Sequence, residues 1–183
     1  TYSPTDYYQE ALKRDPGDSR SNNAMGLWLM KRGRFADAEP YFRTAVNTLM
    51  THNQNPYEGE PLYQLGLCLR YLGRLDEAYD WFFKATWNAA WQDSGFFQAA
   101  LIDTARADYI KALELVNRSL WRNGLNHKAS HLKIVLLRLL GQSEAALKLA
   151  ETSLALDRFN SGALYETYLL TTTPPDDVGT PDP

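Results

Sequence analysis

The sequence predicts an all-α chain built from antiparallel helix pairs, and three observations carry that prediction. No stretch alternates apolar and polar residues with the period of two that a half-buried strand requires. Apolar residues recur instead at alternating steps of three and four, as in Leu62, Leu65, Leu69 and Leu72. The chain also repeats itself: NNAMGLWLMKRGRFADAEPYFRTAV, 22–46, lies over LYQLGLCLRYLGRLDEAYDWFFKAT, 62–86, at an offset of 40 residues.

The elements follow in order. Ser3 before Pro4 marks a helix start, and Tyr8, Ala11 and Pro16 stand where a repeat should end, so residues 4–18 read as half a unit. Asp18 and Ser19 open the first full repeat, 19–57, with Gly33 closing its first helix and Pro40 early in its second. The linker THNQNPYEGEP, which contains His52, leads to Pro61 and the second repeat, 58–92, where Gly73 makes the turn. From Gly66 onward the offset settles to 34: Ala100, Ile134 and Tyr168 take the same place. Asp93 and Ser94 start the third repeat, 93–126, which carries Ala107 in place of the turn glycine and Asp108 before its second helix. The fourth, 127–160, regains the glycine at Gly141, and a last helix covers 161–170. Together these make one repeat domain over 1–170. Ala38, Ala78, Ala112 and Ala146 form a line of small residues that lets paired helices approach closely. After Leu170 the helical period stops, and the Pro, Thr, Asp and Gly content of 171–183 predicts a disordered tail.

Composition excludes several classes. A chain of 183 residues that is 44% hydrophobic can bury a real core. Its net charge is −3, with Lys and Arg scattered singly, which argues against nucleic acid as a partner. No apolar run approaches the roughly 20 residues that span a bilayer, so no membrane is expected. A single cysteine, Cys68, cannot form an internal disulfide, and a reducing, cytoplasmic compartment is the expectation. The chain starts with Thr just before a helical pattern, which suggests a piece of a longer polypeptide.

Leu65, Gly66, Gly73, Ala78, Phe82 and Ala85, and likewise Gly26, Gly33, Ala38, Phe42 and Ala45, resemble the tetratricopeptide repeat, a unit of 34 residues with a Leu-Gly pair, a turn glycine, and alternating alanine and aromatic positions. The later units depart from it: Ala90, Gly124 and Arg158 stand where the closing proline is expected. The resemblance implies a right-handed superhelical solenoid of helix pairs whose role is to bind peptides or proteins. The stretch GRLDEAYDWFFKATWN, 73–88, also resembles the repeat arrays of some large bacterial proteins with a β-rich N-terminal domain of uncharacterised function.

In such arrays the first helix of each unit lines a concave face. Three places before the Gly26 position stand Asn23, Tyr63, Phe97, His131 and Tyr165; four places after it stand Met30, Arg70, Thr104 and Arg138; directly after it stand Leu27, Leu67 and Leu101. Rings as anchors and Arg70 and Arg138 as donors predict a groove for an extended segment carrying carboxylates. Packing of these aromatics on one another is the plainer reading. The family's carboxylate clamp needs a basic residue and an Asn where this chain has Asn23 and Leu27, which argues against a chaperone-tail receptor.

AYDWFFKATWNAAW, 78–91, holds six aromatic side chains in fourteen residues, against 13% for the chain. Read as one helix over 75–91, it puts Ala78, Phe82, Ala85 and Ala89 on a core side and Tyr79, Phe83, Trp87 and Trp91 on another, with Trp81 on a third. Either the second stripe packs under the next unit, on Phe96 and Phe97, or it docks a neighbouring domain of a parent chain or a second copy.

His127 and His131 lie one helical turn apart, but Lys128 replaces the metalloprotease Glu and no third ligand is evident, so no metal is expected. Cys68 sits in a core pattern, and no phosphate loop or nucleophile elbow occurs. No cofactor and no catalysis are expected. The reading is a protein-interaction scaffold binding a peptide or protein segment. Its alternatives are a structural arm packed in cis on a larger protein, a carbohydrate-active one among the readings, and, less favoured, an RNA-binding helical repeat.

Overall fold

The computed structural model describes residues 3–51, 53–54 and 56–172, all helix, turn or loop with no strand among them. Of the tail expected to be disordered over 171–183, Thr171 and Thr172 are helical instead, and residues 173–183, like His52, lie outside the described residues. The helices are α1 (Pro4–Arg14), α2 (Ser19–Met30), α3 (Phe35–Met50), α4 (Glu60–Tyr71), α5 (Leu75–Ala85), α6 (Gln92–Ala105), α7 (Tyr109–Arg122), α8 (His127–Leu139), α9 (Ser143–Leu156) and α10 (Ser161–Thr172), with a short 3-10 turn at Ala89–Trp91 before α6. The chain divides inside α6 into two compact units, Thr1–Gln98 and Ala99–Pro183.

Local chemistry sets the boundaries. Ser3 caps α1 in a capping box with Asp6, while Asp18, Asp108 and Asn126 accept hydrogen bonds from the first-turn amides of α2, α7 and α8. Gly33, Gly73 and Gly141 take φ of 72°, 78° and 72°, the left-handed geometry expected of them. Ala107 does the same job at φ 59° without the glycine. Asp93, expected as a start signal, lies in the first turn of α6, one residue past its beginning. The last helix runs to Thr172, two residues beyond Leu170.

In the first unit α2 packs on α3 and α4 on α5, and α4 also meets α2 and α3. The core here is Met25, Leu29, Phe42, Val46, Leu62, Leu65, Leu69 and Phe82, with Ala38, Ala45, Ala78 and Ala85 fully buried. Cys68 is part of it: its thiol donates to the Phe35 carbonyl at 3.2 Å, and burial pushes its pKa up to about 11. A Cβ on Gly26 would come within 2.7 Å of the Phe42 ring, and one on Gly66 within 2.8 Å of the Phe82 ring. The glycine leaves space that an aromatic ring fills completely.

The second unit pairs α7 with α8, α8 with α9, and α9 with α10. Here the same two places are held by Ala100 with Val116, and by Ile134 with Ala150, all buried. The residue on the first helix grows from Gly through Ala to Ile while the one sixteen positions on shrinks from Phe through Val to Ala. Volume is kept and its source is exchanged.

Candidate functional site

One prediction fails within the first unit. The aromatic stretch is not one helix over 75–91, because α5 ends at Ala85. Thr86 turns its own chemistry on the helix end: its N–H reaches the carbonyls of Phe82 and Phe83 at 3.2 and 3.1 Å, and its hydroxyl donates to Phe83 O at 2.7 Å. Gly95 of α6 lies against this end so closely that a Cβ there would meet Thr86 Cγ2 at 2.7 Å and Phe82 O at 2.8 Å. Asn88 then starts the 3-10 turn, its side chain accepting from Ala90 N at 3.0 Å.

The stripe of Tyr79, Phe83, Trp87 and Trp91 is therefore split. Tyr79 and Phe83 pack with tilted rings at 4.9 Å, and Phe83 meets Phe96 of α6 edge-on at 6.2 Å, so this half packs within the first unit. Trp87 and Trp91 face elsewhere. They line a recess of about 1050 Å³, whose other walls are one face of α2 from Arg20 to Leu27, the linker residues Asn53 and Pro56–Gly59, and the start of α4. Among the groove residues expected from sequence, Asn23 and Leu27 line this recess, and Tyr63 reaches its edge by packing on Trp91 at 4.9 Å.

The linker forms the wall because it is fastened to the turn. Asn88 Nδ2 donates to the Tyr57 carbonyl. Gly59 crosses so close that a Cβ would lie 2.7 Å from Trp91 Cδ1 and 2.8 Å from Asn88 Cβ. Pro56 is buried, whereas Tyr57 beside it is 93% exposed. At the recess, Asn23 is only 8% exposed and its Oδ1 has no hydrogen-bond partner among the described residues. Trp87 remains 53% exposed. The carboxylates Glu58 and Glu60 and the guanidinium of Arg20 complete the polar part, with Arg20 on Glu58 at 3.1 Å.

The two arginines expected to receive a ligand carboxylate have acceptors inside the protein. Arg70 donates to Gln98 Oε1, and Gln98 in turn donates to Tyr63 Oη at 3.2 Å. Burial pushes the Tyr63 hydroxyl pKa up, against the pull of the Gln98 bond and the Arg70 charge. In the second unit Arg138 binds Glu166 at 2.7 Å, and Glu166 is 3% exposed. Both pairs span 28 residues, so the same rung recurs. Of the other expected groove residues, Met30, Leu67, Phe97 and Leu101 are half-buried outside the recess and Tyr165 is exposed. His131 lies under Gly162, where a Cβ would come within 2.9 Å of its ring, and its Nε2 is buried without a partner among the described residues.

Among the described residues no three of His, Cys, Asp and Glu gather into a metal-binding group, and no helix is long and apolar enough to cross a membrane. Asn88, Gly59, Gln98 and Glu166 were not singled out by sequence. The one available signal for the first two was the offset of 40 in place of 34, which marks extra chain between the first two repeats.

No family model matches the sequence. Among solved structures the chain is similar to YrrB, a TPR protein with an unusual peptide-binding site, at 16% identity and a TM-score of 0.72, over 89% of this chain and 81% of that one. It is similar to a tetratricopeptide repeat protein from Parabacteroides merdae at 20% identity and 0.71, over 83% and 58%. In the APC/C hetero-tetramer Cut9-Hcn1 the corresponding values are 15% and 0.73, over 89% and 32%. With the alanine line, the turn glycines and these likenesses agreeing, the chain has the tetratricopeptide-repeat fold.

Proposed function

We propose that this chain is a non-catalytic scaffold that holds a peptide or protein segment, and that the recess walled by Asn23, Leu27, Trp87 and Trp91 is its principal seat. The observation that carries the reading is the buried Asn23 Oδ1, without a partner among the described residues, at the wall of a roomy, partly aromatic recess. A buried acceptor without a donor is destabilising by about 1–3 kcal/mol, and a bound N–H removes that penalty. Large rings around a deep polar atom are also how interfaces concentrate their binding energy. The peptide-binding site described for YrrB is in keeping with this, as a property of that protein.

The test is selection from a random-sequence peptide library on the immobilised chain, followed by affinity measurement on the peptides recovered. Trp87→Ala, which removes a half-exposed ring from the recess, should weaken them at least about tenfold. Recovery of peptides that bind the Trp87→Ala and Asn23→Ala chains as tightly as the parent would remove the recess from the account.

A further inference from the structure

Resting on the reading of the recess as a seat for a protein segment, we propose that the segment is basic, and that its lysine or arginine side chain enters the recess against the rings of Trp87 and Trp91 and is held by Glu60 and Asn23 Oδ1. Sequence pointed the other way, to a segment carrying carboxylates received by Arg70 and Arg138. Both of those guanidinium groups are occupied, by Gln98 and Glu166, and neither lines the recess.

What does line it has the opposite polarity. Its described charged residues are two carboxylates, Glu58 and Glu60, and one base, Arg20. Arg20 is 82% exposed and spends its charge on Glu58 at 3.1 Å, and no ion-pair partner for Glu60 is found among the described residues. Asn23 adds a buried oxygen that can only accept. Trp87 presents a half-exposed ring, and among the described residues neither another ring nor a cation is found stacked on it. A carboxylate, a buried acceptor and an open indole ring are together what recognises a cation: the ring quadrupole attracts the charge, and the oxygens take its N–H donors. An acidic side chain would face Glu60 and leave Asn23 Oδ1 unpaired. An aliphatic one would leave it unpaired and dry.

The experiment follows the indole N–H resonances of the isotopically labelled full chain, whose five tryptophans are individually assignable by substitution to Phe. The probes are acetylated, amidated hexalysine, hexaarginine and hexaglutamate in physiological salt. The cationic probes should move Trp87 and Trp91, and hexaglutamate should not. Glu60→Gln should weaken that binding about threefold to tenfold, the scale of one partly screened charge beside an aromatic ring, while Glu151→Gln, on the exposed surface of α9, should leave it unchanged. Hexaglutamate moving the two indoles, equal weakening by Glu60→Gln and Glu151→Gln, or no movement with either cationic probe overturns the assignment. In each of those cases a library peptide that still needs Trp87 leaves the scaffold reading standing, so the two failures are told apart.

Discussion

At the residue scale, the exchange of volume between paired positions predicts a specific non-additivity. Gly66→Ala drives a methyl into the Phe82 ring, where only 2.8 Å is available, and should cost about 1–3 kcal/mol. Phe82→Val alone leaves a void and should cost about 2–4 kcal/mol. The double variant recreates the Ala100 and Val116 pairing already present in the second unit. Denaturant titration should therefore show the double change costing less than the two single ones together, by about 1–2 kcal/mol. Simple additivity would mean that the two places do not share one space. Ala107 offers a second test of this kind. It holds a left-handed turn at φ 59° where its counterparts are glycine, so Ala107→Gly should raise stability by about 1 kcal/mol despite the extra freedom of the unfolded chain.

At the element scale, much of the pattern was legible because it is local or strictly periodic. The turn glycines, the Ser3, Asp18 and Asp108 caps and the alanine line depend only on neighbours along the chain or on a fixed spacing. The end of α5 was not legible, since a run of apolar residues carries the same period whether or not the helix continues through it. What stops it is Thr86 bonding back to Phe83 and Gly95 arriving from the next helix, and the second of these is tertiary. The partners of Arg70 and Arg138 were hidden for the same reason, lying 28 residues away on another helix. Asn88 is the element-scale fastening of the recess, joining the turn to the linker at Tyr57. Asn88→Ala should leave the melting of the helices within about 1 kcal/mol of the parent. It should also free the linker, seen as faster hydrogen exchange at residues 56–59 and weaker binding of library peptides. Unchanged exchange there would show that Gly59 packing alone holds the wall.

Consecutive repeats of the first unit are also joined by charge. Glu39, with its side chain 17% exposed, accepts from Arg43 at 2.7 Å and Arg74 at 2.6 Å, and Glu77 accepts from the same two arginines. Burial pushes the Glu39 carboxyl up, but the hydrogen bonds and charges of both arginines together hold it below its ordinary 4.5. The arginine hydrogen bonds hold Glu77 low as well. A carboxylate lowered in the folded state contributes stability that is complete above its unfolded pKa and fades as pH falls through the folded one. Glu39→Gln should therefore cost about 1 kcal/mol at pH 7, and the difference from the parent should shrink as the pH drops below 4.5. A difference that stays constant down to acid unfolding would mean the network contributes through packing alone.

At the scale of the whole molecule, the fold follows from small and large positions repeating along the sequence, and the candidate site follows from the one place where that repetition is interrupted. Asn53 and Pro56–Gly59, between the first two repeats, become a wall, and the break after Ala85 turns two tryptophans toward it. Sequence identified four residues of this recess, Asn23, Leu27, Trp87 and Trp91, but assigned them to two separate surfaces. Their meeting depends on a linker pinned by Asn88 and Gly59, which no periodicity encodes. The most direct measurement is a map of backbone and indole chemical-shift changes when a library-selected peptide is added to the labelled chain. The account predicts the largest changes at Asn23, Leu27, residues 56–60, Trp87 and Trp91. Changes centred on α8 to α10 of the second unit, with those residues unmoved, would contradict it.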